Sequence, residues 1–90
     1  MNANVIRLLG RKWVKEILLS LRDAPNGLSY SRLHYEVAKT NKTRELLNLL
    51  EIEGLIVKKG NLHYITQNGI NILDVIEAIV SLPEKGWGRT

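Results

Sequence analysis

The stretch from Leu28 to Gly69, LSYSRLHYEVAKTNKTRELLNLLEIEGLIVKKGNLHYITQNG, decides the fold. Ser29 is a good N-cap, and the spacing predicts a helix over Ser29 to Ala38, with Leu33 and Val37 on its core side and Tyr30 beside them. Lys39-Thr40 is a turn. Either Thr40 or Asn41 can cap the next helix, about Thr40 to Glu53, which stops at Gly54, a natural residue for the left-handed position after a helix. Leu47 and Leu50 lie in register with Thr43 as its buried stripe, and Leu46, Leu49 and Ile52 widen that stripe beyond the needs of one small core. Leu55-Ile56-Val57-Lys58 and Leu62-His63-Tyr64-Ile65 are short β-prone runs on either side of Gly60-Asn61, which suits a tight primed turn. Thr66 caps a last helix that runs to about Leu82 and ends at Pro83. The order helix, turn, helix, hairpin, helix describes an α+β, mostly α, helix-turn-helix with a wing.

Upstream, Asp23-Ala24-Pro25-Asn26-Gly27 is a breaker cluster that ends the preceding helix. Trp13, Val14, Ile17, Leu18 and Leu21 recur at three- and four-residue spacing and predict an amphipathic helix over Arg11 to Arg22. Val5, Ile6, Leu8 and Leu9 predict a shorter one, stopped or bent near Gly10. The 90 residues make a single domain: N-terminal helices over 2–24, helix-turn-helix over 28–54, wing over 55–66, a terminal helix over 67–82 and a tail over 83–90.

The totals narrow the function classes. The formal net charge of +4 favours a polyanionic partner. Residues before Pro25 carry five basic and two acidic side chains, Pro25 to Thr66 six and four, and the remainder two and three, so the basic surface belongs to the first two parts. Cysteine is absent, which excludes a disulfide framework and a thiolate metal site. Charge interrupts every apolar run, no signal-peptide order is present, and a cytoplasmic location is expected. His34 and His63 are far apart on different elements, with no metal-ligand spacing, no Gly-rich phosphate loop and no acid/base dyad. No catalytic residue, metal, cofactor or small-molecule ligand is expected.

The last helix is apolar nearly all round. Ile70, Leu73, Ile76 and Val80 form one stripe, and Ile72, Val75, Ile79 and Leu82 a second. The second stripe needs cover from the N-terminal helix of the same chain or from a second copy. A homodimer is expected, with Val5, Ile6, Leu9, Ile72, Val75, Ile76 and Ile79 at its interface.

Three local patterns carry a family resemblance: Gly10-Arg11-Lys12-Trp13, Leu50-Glu51-x-x-Gly54-Leu55-Ile56 and Tyr64-Ile65-Thr66-x-x-Gly69. Together they resemble prokaryotic winged-helix transcription regulators, closest to the HxlR type, with the MarR and PadR types and compact archaeal or viral members behind. The resemblance spans roughly Leu9 to Val80. The wing loop of about two residues is shorter than is usual in the HxlR type and is similar to that of the compact members. The resemblance implies a sequence-specific double-stranded DNA-binding regulator, a repressor acting as a homodimer on a near-palindromic operator.

A helix entering the major groove needs polar side chains at its N-terminal end. Thr40, Asn41, Lys42, Arg44, Glu45 and Asn48 meet that requirement by position: Arg44 or Lys42 for guanine, Asn41 or Asn48 for adenine, Glu45 for cytosine. Ser29, as cap and phosphate ligand, and Arg32 start the preceding helix at the DNA backbone. Lys58, Lys59, Asn61 and His63 form the wing tip. Two rivals stand beside this reading. One is a non-specific architectural DNA binder. The other is a winged helix used for protein contact, with Leu46 and Leu49 facing outward as its mark.

Overall fold

A computed structural model describes the backbone of residues 3–81 and the side-chain environments of residues 4–78. The elements run α1 (Ala3–Leu9), α2 (Val14–Arg22), β1 (Leu28–Ser29), α3 (Tyr30–Arg32) continuing as a π-helical segment (Leu33–Ala38), α4 (Thr43–Ile52), β2 (Ile56–Lys59), β3 (Leu62–Ile65) and α5 (Gln67–Ser81). The architecture is α+β and mostly helical, with a wing hairpin following two helices joined by a turn.

Leu28 and Ser29, expected only as a helix entry, form a third strand. β1 pairs antiparallel with β3, Leu28 opposite His63 and Ser29 opposite Leu62, so the sheet order is β1-β3-β2 and β3 is central. β2 pairs with β3 from Ile56–Ile65 to Lys59–Leu62. Gly60 takes φ +62° while Asn61 stays out of the left-handed region, the pattern of a II′ turn.

Val14, Ile17, Leu18 and Leu21 of α2 are buried together with Leu33, Ala38, Leu46, Leu47, Leu50, Leu55, Ile56 and Leu73 in one core. α2 thus presents its apolar stripe to both the helix-turn-helix and α5. Trp13 departs from expectation. The chain makes two turns after α1, through Arg11 N–H to Leu8 O and Val14 N–H to Arg11 O, and Trp13 precedes the helix in a left-handed conformation, φ +77°. Its ring still packs on the core, with Lys12 Nζ 5.3 Å from the ring centre.

The end of α4 joins the wing and α5 through one knot of backbone. Gly54 N–H donates to Glu51 O and Leu55 N–H to Leu50 O, with Gly54 at φ +76°, which is a complete Schellman ending. Thr66 N–H donates to Leu55 O, and the Thr66 hydroxyl donates to Gly54 O at 2.6 Å. The same hydroxyl accepts from Gly69 N–H at 3.1 Å and so caps α5, as expected of Thr66. Gly69 has no room for a side chain: a β-carbon there would overlap the Leu55 carbonyl oxygen and the Ile65 side chain. Two of the three motifs behind the resemblance therefore meet in space at this junction.

The residues expected at a dimer interface divide. Val5 is 7% exposed, and Leu9 and Ile72 pack on the core, so the chain itself covers much of all three. Ile6 at 58% and Val75 at 44% remain at the surface, and Ile76 is half-buried. The side chain of Ile79, with those of Val80 and Leu82, lies outside the described residues, as does the tail over 83–90. α5 packs against α2 and β3, and α2 is tied to it by Arg22, whose guanidinium donates to Glu77 at 2.8 and 3.4 Å. These hydrogen bonds hold the Glu77 carboxyl below the usual carboxylate range, assisted by the positive charges of Arg22 and Lys15, and raise Arg22 above its own.

Candidate nucleic-acid interface

Thr40 to Asn48 form the turn and the first half of α4. The helix begins at Thr43, later than expected, because Thr40 spends its side chain on a local turn: its hydroxyl accepts from Lys42 N–H at 3.3 Å. Thr43 is 0% exposed and its hydroxyl donates to Thr40 O at 2.8 Å. With that proton committed, Thr43 Oγ1 accepts from His34 Nδ1–H at 3.1 Å, which fixes the protonated ring nitrogen of His34. The last turn before this site is wide. Lys39 N–H reaches back to His34 O, and Lys39 itself is left-handed at φ +50°.

The structure brings Asn41, Lys42, Arg44, Glu45 and Asn48 to one exposed surface, with Thr40 half-buried at its edge. Among the described residues Lys42 has no ion-pair partner. The Arg44 guanidinium lies over the Tyr30 ring, 4.3 Å from its centre. Glu45 is engaged by Arg11 at 3.2 Å, a partner 34 residues away in sequence. Arg11 is partly and Glu45 largely exposed, so the pair is worth about 0–1 kcal/mol.

Ser29 caps α3, its hydroxyl accepting from Arg32 N–H at 3.2 Å. Arg32 is exposed and shares its charge with Glu36 at 3.3 Å. Lys58, Lys59 and Asn61 are exposed on the wing, and Lys59 Nζ lies 5.9 Å from the centre of the Tyr64 ring. His63 is not at the wing surface. It is 5% exposed, and its Nδ1 donates to Leu28 O at 3.3 Å, because β1 lies across the strand that carries it. It belongs to the sheet and is removed from the wing-tip set.

Leu46 is buried and Leu49 packs on the core, so the face expected of a protein-contact helix is turned inward; Ile52 alone of that set is largely exposed, at 75%. Two residues absent from the expected set adjoin it. Tyr35 and Lys39, with His34, Thr40 and Asn41, line a hollow of about 400 Å³ at the turn. Tyr35 falls off the Leu33–Val37 stripe, and that periodic offset is the signal that could have placed it outside. Among the described residues no group of three or more His, Asp or Glu could hold a metal ion, and no helix is long and apolar enough to cross a membrane.

An exposed polar start to the second helix, a buried leucine stripe behind it and a hairpin beside it define a winged helix-turn-helix. The chain is similar to an uncharacterized HTH-type transcriptional regulator of Methanocaldococcus jannaschii, 29% identical over 86 residues that cover 91% of this chain and 81% of the relative. No protein-family profile matches the chain, and no solved structure does.

Proposed function

We propose that this protein is a double-stranded DNA-binding transcription regulator that reads sequence through the first half of α4. The observation that carries the reading is the unneutralised Lys42 and the outward Arg44 beside Asn41 and Asn48, on a helix whose Leu46, Leu47 and Leu50 are buried in the core behind them. The similarity to a helix-turn-helix regulator supports it. Ser29 and Arg32 would meet the phosphate backbone on one side, and Lys58, Lys59 and Asn61 on the other. The protein acts in the cytoplasm as a repressor of the HxlR-like kind, by occupying a promoter. Two copies joined through their terminal helices, with Ile6, Val75, Ile76 and Ile79 between them, would set two α4 helices about 34 Å, or roughly 10 base pairs, apart.

Selection from a random duplex pool at near-physiological salt tests this directly. A two-fold symmetric motif with half-sites about 10 base pairs apart is expected. Retained DNA without a motif would indicate an architectural binder, and an empty pool would end the DNA reading. The double substitution K42A/R44A should weaken binding by at least about tenfold, since each good base contact discriminates by about 1–3 kcal/mol. It should leave the melting temperature nearly unchanged, because both side chains are exposed.

A further inference from the structure

Arg44 does not project freely from α4. Its guanidinium lies over the Tyr30 ring at 4.3 Å, and the Tyr30 ring is stacked on the His34 imidazole, with centroids 5.5 Å apart and planes 7° from parallel. His34 in turn donates to the hydroxyl of Thr43, the residue next to Arg44 in the chain. The four side chains close a ring: Thr43 to His34, His34 to Tyr30, Tyr30 to Arg44. Thr43 is fully buried with its hydroxyl also bound to Thr40 O, and the Tyr35 ring meets His34 with centroids 4.6 Å apart and planes at 71°. The stack is therefore anchored at the end away from Arg44.

We propose that Tyr30 is a specificity-determining residue, which holds the Arg44 guanidinium in the orientation from which it reads a base. The proposal rests on the DNA-reading function above. A guanidinium whose central carbon sits over an aromatic ring is held through its charge without spending an N–H donor on that contact, so its fork stays free to form the two parallel bonds that guanine O6 and N7 accept. An arginine so held also loses less side-chain freedom on binding than one that searches solvent. Sequence reading assigns Tyr30 to the core, which it only half joins. Its second duty spans the two helices of the helix-turn-helix and depends on no phosphate contact.

The test compares wild type, Y30F, Y30L and R44K on the selected duplex and on its single-base-pair variants, over a range of salt. Y30L should lose about 2- to 5-fold of the discrimination at the base pair where R44A also relaxes it, the scale of an exposed cation–π contact. R44K keeps the charge without the planar face and should show the same local loss. Y30F should behave as wild type, and the salt dependence should be the same for wild type, Y30L and Y30F, because no phosphate contact changes. In the free protein, ring currents should move the Arg44 side-chain proton resonances upfield in wild type and Y30F but not in Y30L. Equal discrimination by Y30L and wild type, equal weakening on every sequence, or Arg44 resonances at random-coil positions in wild type would each overturn the proposal. A wild-type protein that selects no sequence would overturn the DNA-reading function itself, and this role of Tyr30 with it.

Discussion

The two ends of α4 are held by different means. Its start is organised by side chains: the Thr40 and Thr43 hydroxyls, the His34 ring and the Arg44–Tyr30 stack. Its end is organised mainly by backbone: the Schellman bonds of Gly54 and Leu55, the Thr66 N–H to Leu55 O bond and the close approach of Gly69, with the Thr66 hydroxyl as the one side chain among them. Side-chain contacts can be exchanged one at a time for contacts to a ligand. Backbone contacts cannot be exchanged without unmaking the fold. The difference teaches where a small domain keeps its adaptable surface, and it separates residues whose loss costs recognition from residues whose loss costs stability.

Gly69→Ala attacks the backbone end and should have the largest effect. The added methyl overlaps the Leu55 carbonyl, so α5 must shift, and destabilisation of about 2–3 kcal/mol is expected from overpacking. For a domain of this size that is a fall in melting temperature of about 10–20 °C, read by thermal unfolding. A melting temperature within a degree of wild type would break the comparison. Thr43→Val attacks the start. It keeps the shape but strips the hydroxyl that serves both Thr40 O and His34 Nδ1, and a loss of about 1 kcal/mol in urea unfolding is expected. A larger loss than that of Gly69→Ala would reverse the assignment of roles.

Glu77→Gln should be the smallest, because it touches neither end of α4, and it carries a pH signature. The Glu77 carboxyl is held low by the Arg22 hydrogen bonds. A carboxyl whose folded pKa lies below its unfolded one contributes stability above the unfolded pKa and loses it as pH falls through the folded one. Wild type should therefore be slightly more stable than Glu77→Gln at neutral pH, and the two melting curves should converge in acid. A gap that persists in acid would show that the substitution acts through packing instead.

Legibility in the sequence follows the range of the interaction. Ser29, Gly54 and Thr66 were readable because a cap or a helix ending is decided within three to five residues. β1 was not, because two residues carry no periodicity and the strand exists only by pairing with β3, 34 residues further on. The misplacement of His63 follows in part from that omission: it alternates onto the same sheet face as Ile65, which packs on the core, and its hydrogen-bond acceptor, Leu28 O, lies on the strand that periodicity does not reveal. Trp13 kept the spacing of a helical stripe while taking a backbone conformation that spacing does not register. At the site, the exposed row from Asn41 to Asn48 was readable from the leucine pattern behind it. The Arg11–Glu45 pair and the Arg44–Tyr30 stack were not, since both join residues more than ten positions apart.

The knot at Gly54, Leu55, Thr66 and Gly69 ties the end of α4 to the start of α5. The wing leaves and returns between the helix that carries Arg44 and the helix that carries Val75, and where it returns the joint is the Thr66 hydroxyl, bonded to Gly54 O and Gly69 N–H, beside a glycine with no space to spare. A load on α5 reaches α4 at its Gly54 end, the end opposite Arg44.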